Sequence, residues 1–315
     1  PISLVDMKAI AESFDESWVG FQTTYGLSPS KRTEWPVLIM VKDYGASSTI
    51  VAEADFFRCY DGTIFSGVNY RNNGFISCNF RKLGTEAQRK SMAAAVTHEA
   101  FHLYQDLYDP RVGMVRTKGM SPHHWFYEAL SVWSEPKFLA LVDNIPDPTS
   151  YYMDAWVTWG AEVFTGMIAG GGDSKDAQQN HGYGLAPMVS FFADKRGKTL
   201  FAKRSLEWIS AGNDVLESIC YGGDAVRGAK KQAWWKPFLE QLFLNQIPGF
   251  EVNMGMLKGW SNKIFDITDT KLDFTKKGSG IGGDLPDLSG ALFTTTLQSK
   301  PAPDPTVVLS HRLKA

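Results

Sequence analysis

The stretch His98-Glu99-Ala100-Phe101-His102 constrains this chain more than any other. Thr85-Glu86-Ala87-Gln88 has the form of a capping box, with Thr85 as N-cap, and Asp109-Pro110 closes the run that follows. The pattern predicts a helix from residue 85 to about Tyr108, with the five residues inside it. On that helix His98 and His102 lie one turn apart on one face, so both imidazoles can reach a single metal ion. Glu99 then stands beside a metal-held water and can take its proton. With six histidines in 315 residues, an accidental HExxH is rare. Two histidines do not complete a catalytic zinc site, which takes three protein ligands and keeps one position open. The chain must therefore fold back and deliver a further ligand from downstream.

Glu128, in Trp125-Phe-Tyr-Glu-Ala-Leu-Ser-Val-Trp-Ser-Glu135, is the strongest candidate. It lies 26 residues past His102, on a second predicted helix. That helix opens at Ser121-Pro122, an N-cap followed by proline at the first helical position, and stops or bends at Pro136. Other candidates stay open. Glu135 shares a face with Glu128 and either hydrogen-bonds a ligand histidine or solvates the helix end. His123 and His124 sit in a first turn, where a surface position is the plainer reading than a ligand or substrate contact. Asp106 and Asp109 follow the motif closely, without the flanking sequence of aspartate-using zinc peptidases. A metzincin is excluded by its own motif, because Tyr108 stands where the third histidine belongs and Gln105 where glycine belongs.

HExxH followed by a Glu-Ala-Leu-Ser helix resembles the gluzincin metallopeptidases, and the pattern is closest to their collagenase and aminopeptidase-like branches. The likeness covers roughly residues 85 to 215, with Ala129 where glycine is frequent and Ser131 where alanine is frequent. The resemblance implies Zn2+ held by His98, His102 and Glu128, with Glu99 as general base. It also implies a Tyr or His from a later helix to stabilise the oxyanion. Asn180-His-Gly-Tyr-Gly-Leu-Ala186 is similar to such a segment, so His181 and Tyr183 are both candidates, Tyr183 slightly preferred. The plain alternative is a loop-to-helix junction whose tyrosine packs in the core. The implied activity is that of a zinc-dependent metallopeptidase, hydrolysing peptide bonds with a metal-bound water activated by Glu99. No GxMEN-like segment is present, which favours an endopeptidase. A peptide or protein substrate is expected to pair with a strand edge within Gly67 to Phe80. Two rivals stand beside this reading. One is a binding module on a peptidase-like fold without turnover. The other is a zinc hydrolase of a non-peptide amide in a cell wall or glycan.

Composition narrows the remainder. Hydrophobic residues make up 43%, charged residues 21%, and the formal net charge is -2. That charge offers no basic surface for nucleic acid. No apolar run approaches the length of a membrane span. Ten Trp and eleven Tyr fill a core or line an aromatic groove. Cys59, Cys78 and Cys220 lack CxxC spacing; Cys59 and Cys78 either pair across two strands or, the preferred reading, all three are buried thiols. The start Pro1-Ile-Ser-Leu has no leader pattern. A processed, secreted or cell-surface chain is expected.

The elements predict an α+β fold. Val5, Ile10, Phe14, Trp18 and Phe21 mark a helix over 5–25, and strands are expected at Trp35–Val41, Thr49–Phe57 and Ile64–Phe80. Further helices are expected at about 149–168, 183–195, 198–211 and 231–245. Ile168 to Asp173 is a glycine-rich loop without the GK[ST] of a phosphate loop, and serves as a plain connection or a lid. Residues 1–84 form a β-rich lobe behind an N-terminal helix, packed on a mainly helical zincin-like lobe at 85–250. A C-terminal segment, 251–315, carries two short strands at Gly290–Leu297 and Thr306–Ser310 after a glycine-rich linker.

Overall fold

Helix α1 (Leu4–Tyr25) starts at a capping box, in which Ser3 accepts from the Asp6 N–H at 3.1 Å and the Asp6 carboxylate accepts from the Ser3 N–H at 3.2 Å. It ends at Gly26, whose φ of 63° is the left-handed conformation that glycine adopts without a Cβ penalty. The computed structural model describes residues 2–32, 35–55, 74–109, 124–138, 154–164, 175–211 and 235–250. The apolar face of α1 lies along α2 (Glu86–Tyr108). Phe21 meets Phe101 edge-to-face at 4.9 Å, and Ser13 Oγ donates to the Ala93 carbonyl at 2.6 Å. The capping box expected at Thr85 is formed. From Ala100 to Tyr108 every residue of α2 is buried, as befits a helix enclosed on all sides.

Three short strands make the sheet: β1 (Ile39–Lys42), β2 (Ala52–Asp55) and β3 (Phe75–Asn79), in the order β1-β3-β2. β1 runs parallel to β3 with Ile39 opposite Ile76, and β2 runs antiparallel with Ala54 opposite Ile76. The strands are shorter than the sequence pattern predicts, and Phe80 opens a 3-10 turn (Phe80–Lys82) instead of extending β3. β3 is buried throughout and paired on both sides. It therefore has no free edge for a peptide. Among the described residues the edge against α2 is β2, so residues 75–79 do not supply the edge expected within Gly67 to Phe80; residues 64–73 lie outside the described residues. The Asn79 N–H donates to the Val51 carbonyl at 2.9 Å. Bonded and non-bonded pairs alternate in an antiparallel ladder, so the backbone groups of Ala52 and Ala54 point away from β3.

The helical part continues with α3 (His124–Ser134), a 3-10 turn (Glu135–Lys137), α4 (Asp154–Trp159) with a 3-10 turn (Gly160–Phe164), α5 (Lys175–Arg196), α6 (Lys198–Ser210) and α7 (Trp235–Phe243). The architecture is thus mixed α+β in the loose sense, mostly helical with one small sheet. α3 is buried at every residue and packs most extensively on α5. Two glycines explain how closely the helices approach. A Cβ on Gly182 would stand 2.2 Å from the Trp125 carbonyl oxygen and 2.7 Å from Glu128 Cβ. One on Gly184 would stand 2.4 Å from the Trp159 carbonyl oxygen and 2.6 Å from Glu162 Cβ. α5 begins well before the expected start near residue 183, so Asn180 to Ala186 lies wholly within the helix and is not a loop-to-helix junction. Gly182, Gly184 and the internal Pro187 read locally as breakers. Here the glycines are demanded by backbone contact with α3 and α4.

Cys78 is a free thiol buried in β3, and burial together with the Glu99 carboxylate pushes it up to about 12. Cys59, Cys220, the Ser121-Pro122 helix start, the 168–173 loop, the 276–284 linker and the whole 251–315 segment lie outside the described residues. No helix among the described residues is long and apolar enough to cross a membrane.

Candidate metal centre

The predicted helix around HExxH forms, and its geometry aims both imidazoles at one point. His98 Nε2 and His102 Nε2 are 3.1 Å apart. α3 brings Glu128 Oε2 to 3.2 Å from His98 Nε2 and 3.5 Å from His102 Nε2. All three side chains are buried. Among the described residues this is the group of potential metal ligands whose atoms gather within 4.8 Å of one another. Donors about 2.0–2.1 Å from a tetrahedral zinc stand about 3.3–3.4 Å from each other. The three separations bracket that value.

No protein-family model, curated protein or solved structure matches the chain. The site is therefore read from its own chemistry.

The outer nitrogens decide the tautomers. His98 Nδ1 lies 2.9 Å from Glu135 Oε1, an acceptor only, so Nδ1 carries a proton. His102 Nδ1 lies 2.7 Å from Gln105 Oε1. The Gln105 amide is oriented by its Nε2, which donates to the Tyr127 carbonyl at 2.9 Å, so its oxygen must face the histidine. Ser131 Oγ supports the same pair at 3.4 Å from His102 Nδ1. With both Nδ1 atoms protonated, both Nε2 atoms offer lone pairs toward each other and toward a carboxylate. Such a cluster needs positive charge at its centre, either a proton or a cation. Burial pushes His98 down, but hydrogen bonds to Glu128 and Glu135 outweigh it and raise the imidazole well above the ordinary histidine range. Burial likewise would raise Glu128, yet the charge and hydrogen bond of His102, with the hydrogen bond of His98, hold it well below the usual carboxylate range. The other oxygen of Glu128, Oε1, lies 3.5 Å from His124 Nε2, one turn earlier on α3. His124 is buried, against its expected place on the surface.

Glu99 is not tied to its neighbouring histidines. Its Oε2 accepts the Ala54 N–H of β2 at 2.6 Å. Burial raises its carboxyl above the ordinary value, opposed by the two histidines and aided by Glu128. The Tyr183 ring stands 5.9 Å from the His98 ring, and its hydroxyl accepts from Gln179 Nε2 one turn earlier on α5. Burial, then Glu128, Glu99 and Glu135, raise this phenol well above its usual value, so it keeps its proton at neutral pH. His181, two residues earlier, lies about 200° round the helix. It is buried near Trp125, with Nδ1 3.4 Å from Glu162 Oε2. The helix thus brings Tyr183 and not His181 beside the paired imidazoles. Asp109 accepts from the Tyr127 hydroxyl, and Asp106 and Asp109 stand outside the ligand group.

Sequence reasoning raised Glu135 as a partner for a ligand histidine, and the distance to His98 agrees. It missed Gln105 and Ala54. Gln105 carries a legible signal, being three residues past His102 and able to meet its ring on the helix surface. Ala54 carries none, because a backbone amide has no sequence signature.

Proposed function

We propose that this protein is a zinc-dependent metallopeptidase of the HExxH-plus-glutamate type, acting as an endopeptidase on an extended peptide. The observation that carries the reading is the convergence of His98 Nε2, His102 Nε2 and Glu128 Oε2 at 3.1–3.5 Å. Zinc bound there supplies a Lewis acid that polarises a carbonyl and acidifies water. Glu99 receives the water proton and passes it to the leaving nitrogen, tasks that suit a carboxylate raised above its ordinary value. Tyr183 donates its O–H to the oxygen that gains negative charge. The outward backbone groups of β2, apart from the Ala54 N–H that Glu99 holds, give an extended chain an edge to pair with. Glu135 and Gln105 hold the two imidazoles in the tautomer that directs Nε2 inward.

The test combines metal analysis of the purified protein with cleavage of a peptide library. One zinc per chain, cleavage within peptides, loss with a chelator and recovery with zinc are expected. A zinc-loaded protein that cleaves no peptide overturns the peptidase reading. Hydrolysis of acylated sugars by that protein would point to the non-peptide amide rival, and binding without turnover to the module.

A further inference from the structure

Glu99 is bonded by a backbone group of a strand that the linear motif does not contain. The Ala54 N–H of β2 donates to Glu99 Oε2 at 2.6 Å, across 45 residues of sequence. Ala54 lies opposite Ile76 in a pair that does not exchange ladder bonds, as the Asn79-to-Val51 bond sets the alternation. Its amide is therefore free of the sheet and aimed at α2. Ala54 is buried, with 9% exposure, so water does not compete freely for this amide. A charge-assisted bond of this length is strong, and it fixes one oxygen of the carboxylate.

We infer that the Ala54 amide is the positioning group for Glu99, clamping the base between the sheet edge and the metal cluster. The inference rests on the peptidase reading for its catalytic meaning but not for the clamp itself. The clamp has a second consequence. A peptide pairing with β2 finds the Ala54 N–H already engaged, so the edge offers it the Ala54 carbonyl and the groups of Ala52. The strand that receives substrate is thus the strand that holds the base, and one proline at Ala54 uncouples them. Because this amide takes no part in the β2–β3 ladder, Ala54→Pro removes the clamp without breaking a sheet bond.

Two measurements decide it, both on the full zinc-loaded chain. The first is amide hydrogen exchange at Ala54, with alanine nitrogen labelling, in the native protein and in Glu99→Ala. Exchange at Ala54 should be slow in the native protein and about tenfold or more faster in the variant, as loss of a charge-assisted bond implies. Equal exchange in the two proteins overturns the inference. The second is Ala54→Pro. It should keep its zinc content and its far-ultraviolet circular dichroism, with kcat reduced about 10–100-fold and KM little changed. A folded, zinc-loaded Ala54→Pro with native kcat also overturns it. If that variant fails to fold, the exchange measurement alone decides. A native protein without peptidase activity sinks the proposed function and leaves the exchange result to judge the clamp.

Discussion

Both histidines of the candidate metal group are held from behind, His98 by Glu135 and His102 by Gln105, and that is where single substitutions are informative. Glu99→Gln keeps an acceptor for the Ala54 N–H and touches no ligand, so zinc and fold should persist. Turnover should fall by about 10²–10⁴-fold for want of a base; unchanged turnover with zinc bound would rule the base role out. Gln105→Leu leaves the His102 Nδ1–H buried with Ser131, at 3.4 Å, as its remaining partner among the described residues. Zinc affinity, measured by chelator competition, should weaken about 10–100-fold. The sign of the pH dependence follows from His98. Its proton is held well above the ordinary histidine range in the metal-free protein, and zinc needs the same Nε2 lone pair. Raising the pH removes the competing proton, so apparent zinc affinity should rise about tenfold per pH unit until His98 titrates, as one displaced proton requires. A flat profile between about pH 6 and about pH 8 would contradict a His98 proton held above the ordinary histidine range. At this scale the two histidines of the candidate metal group were legible in the sequence, since spacing on one helix sets their direction, whereas Glu128 joins them only because α3 packs on α2. The atoms behind them were less so, because Gln105 looks like any helical glutamine until Tyr127 orients its amide.

At the scale of elements the instructive helix is α5. Its glycines and proline argue locally against a helix, yet the helix starts at Lys175, earlier than the expected 183. Packing overrides propensity here, because Gly182 and Gly184 let α5 approach the backbones of α3 and α4 more closely than a Cβ permits. In an isolated helix glycine to alanine gains roughly 0.8–1.0 kcal/mol. Gly182→Ala should instead lose about 1–3 kcal/mol in chemical denaturation, through overpacking. Since Glu128 Cβ is among the atoms displaced, zinc affinity should fall with it. Gly184→Ala presses on Trp159 and Glu162 instead, and should lose comparable stability while binding zinc normally. Equal zinc affinity in both alanine variants would show that α5 does not position Glu128. The small sheet teaches the complementary lesson. The three strand regions were visible in the β-branched and apolar runs, but their order was not. Only pairing puts the 75–79 strand in the middle and the 52–55 strand at the edge.

Over the whole molecule, the candidate metal group joins α2 to α3, with Glu128 3.2 Å from His98. Ligand binding to the folded state alone stabilises it in proportion to the logarithm of saturation. At free zinc about a thousandfold above Kd the gain is about 4 kcal/mol, roughly 5–10 °C in Tm for a chain of this size. Chelation should lower Tm by that amount and zinc should restore it; an unmoved Tm would mean that no ion sits between the helices. What the sequence determined by itself is the local chemistry: the capped helix of HExxH, the one-turn spacing of His98 and His102, and an acidic residue on a later helix. These follow from helical periodicity and capping, which act over a few residues. What the tertiary structure decided is everything that depends on contact between distant segments. It chose Tyr183 over His181 to face the imidazoles, buried His124 beside Glu128 and gave Glu99 a backbone partner on β2. Such choices depend on how closely helices and strands approach one another, and that closeness is a property of the packed whole.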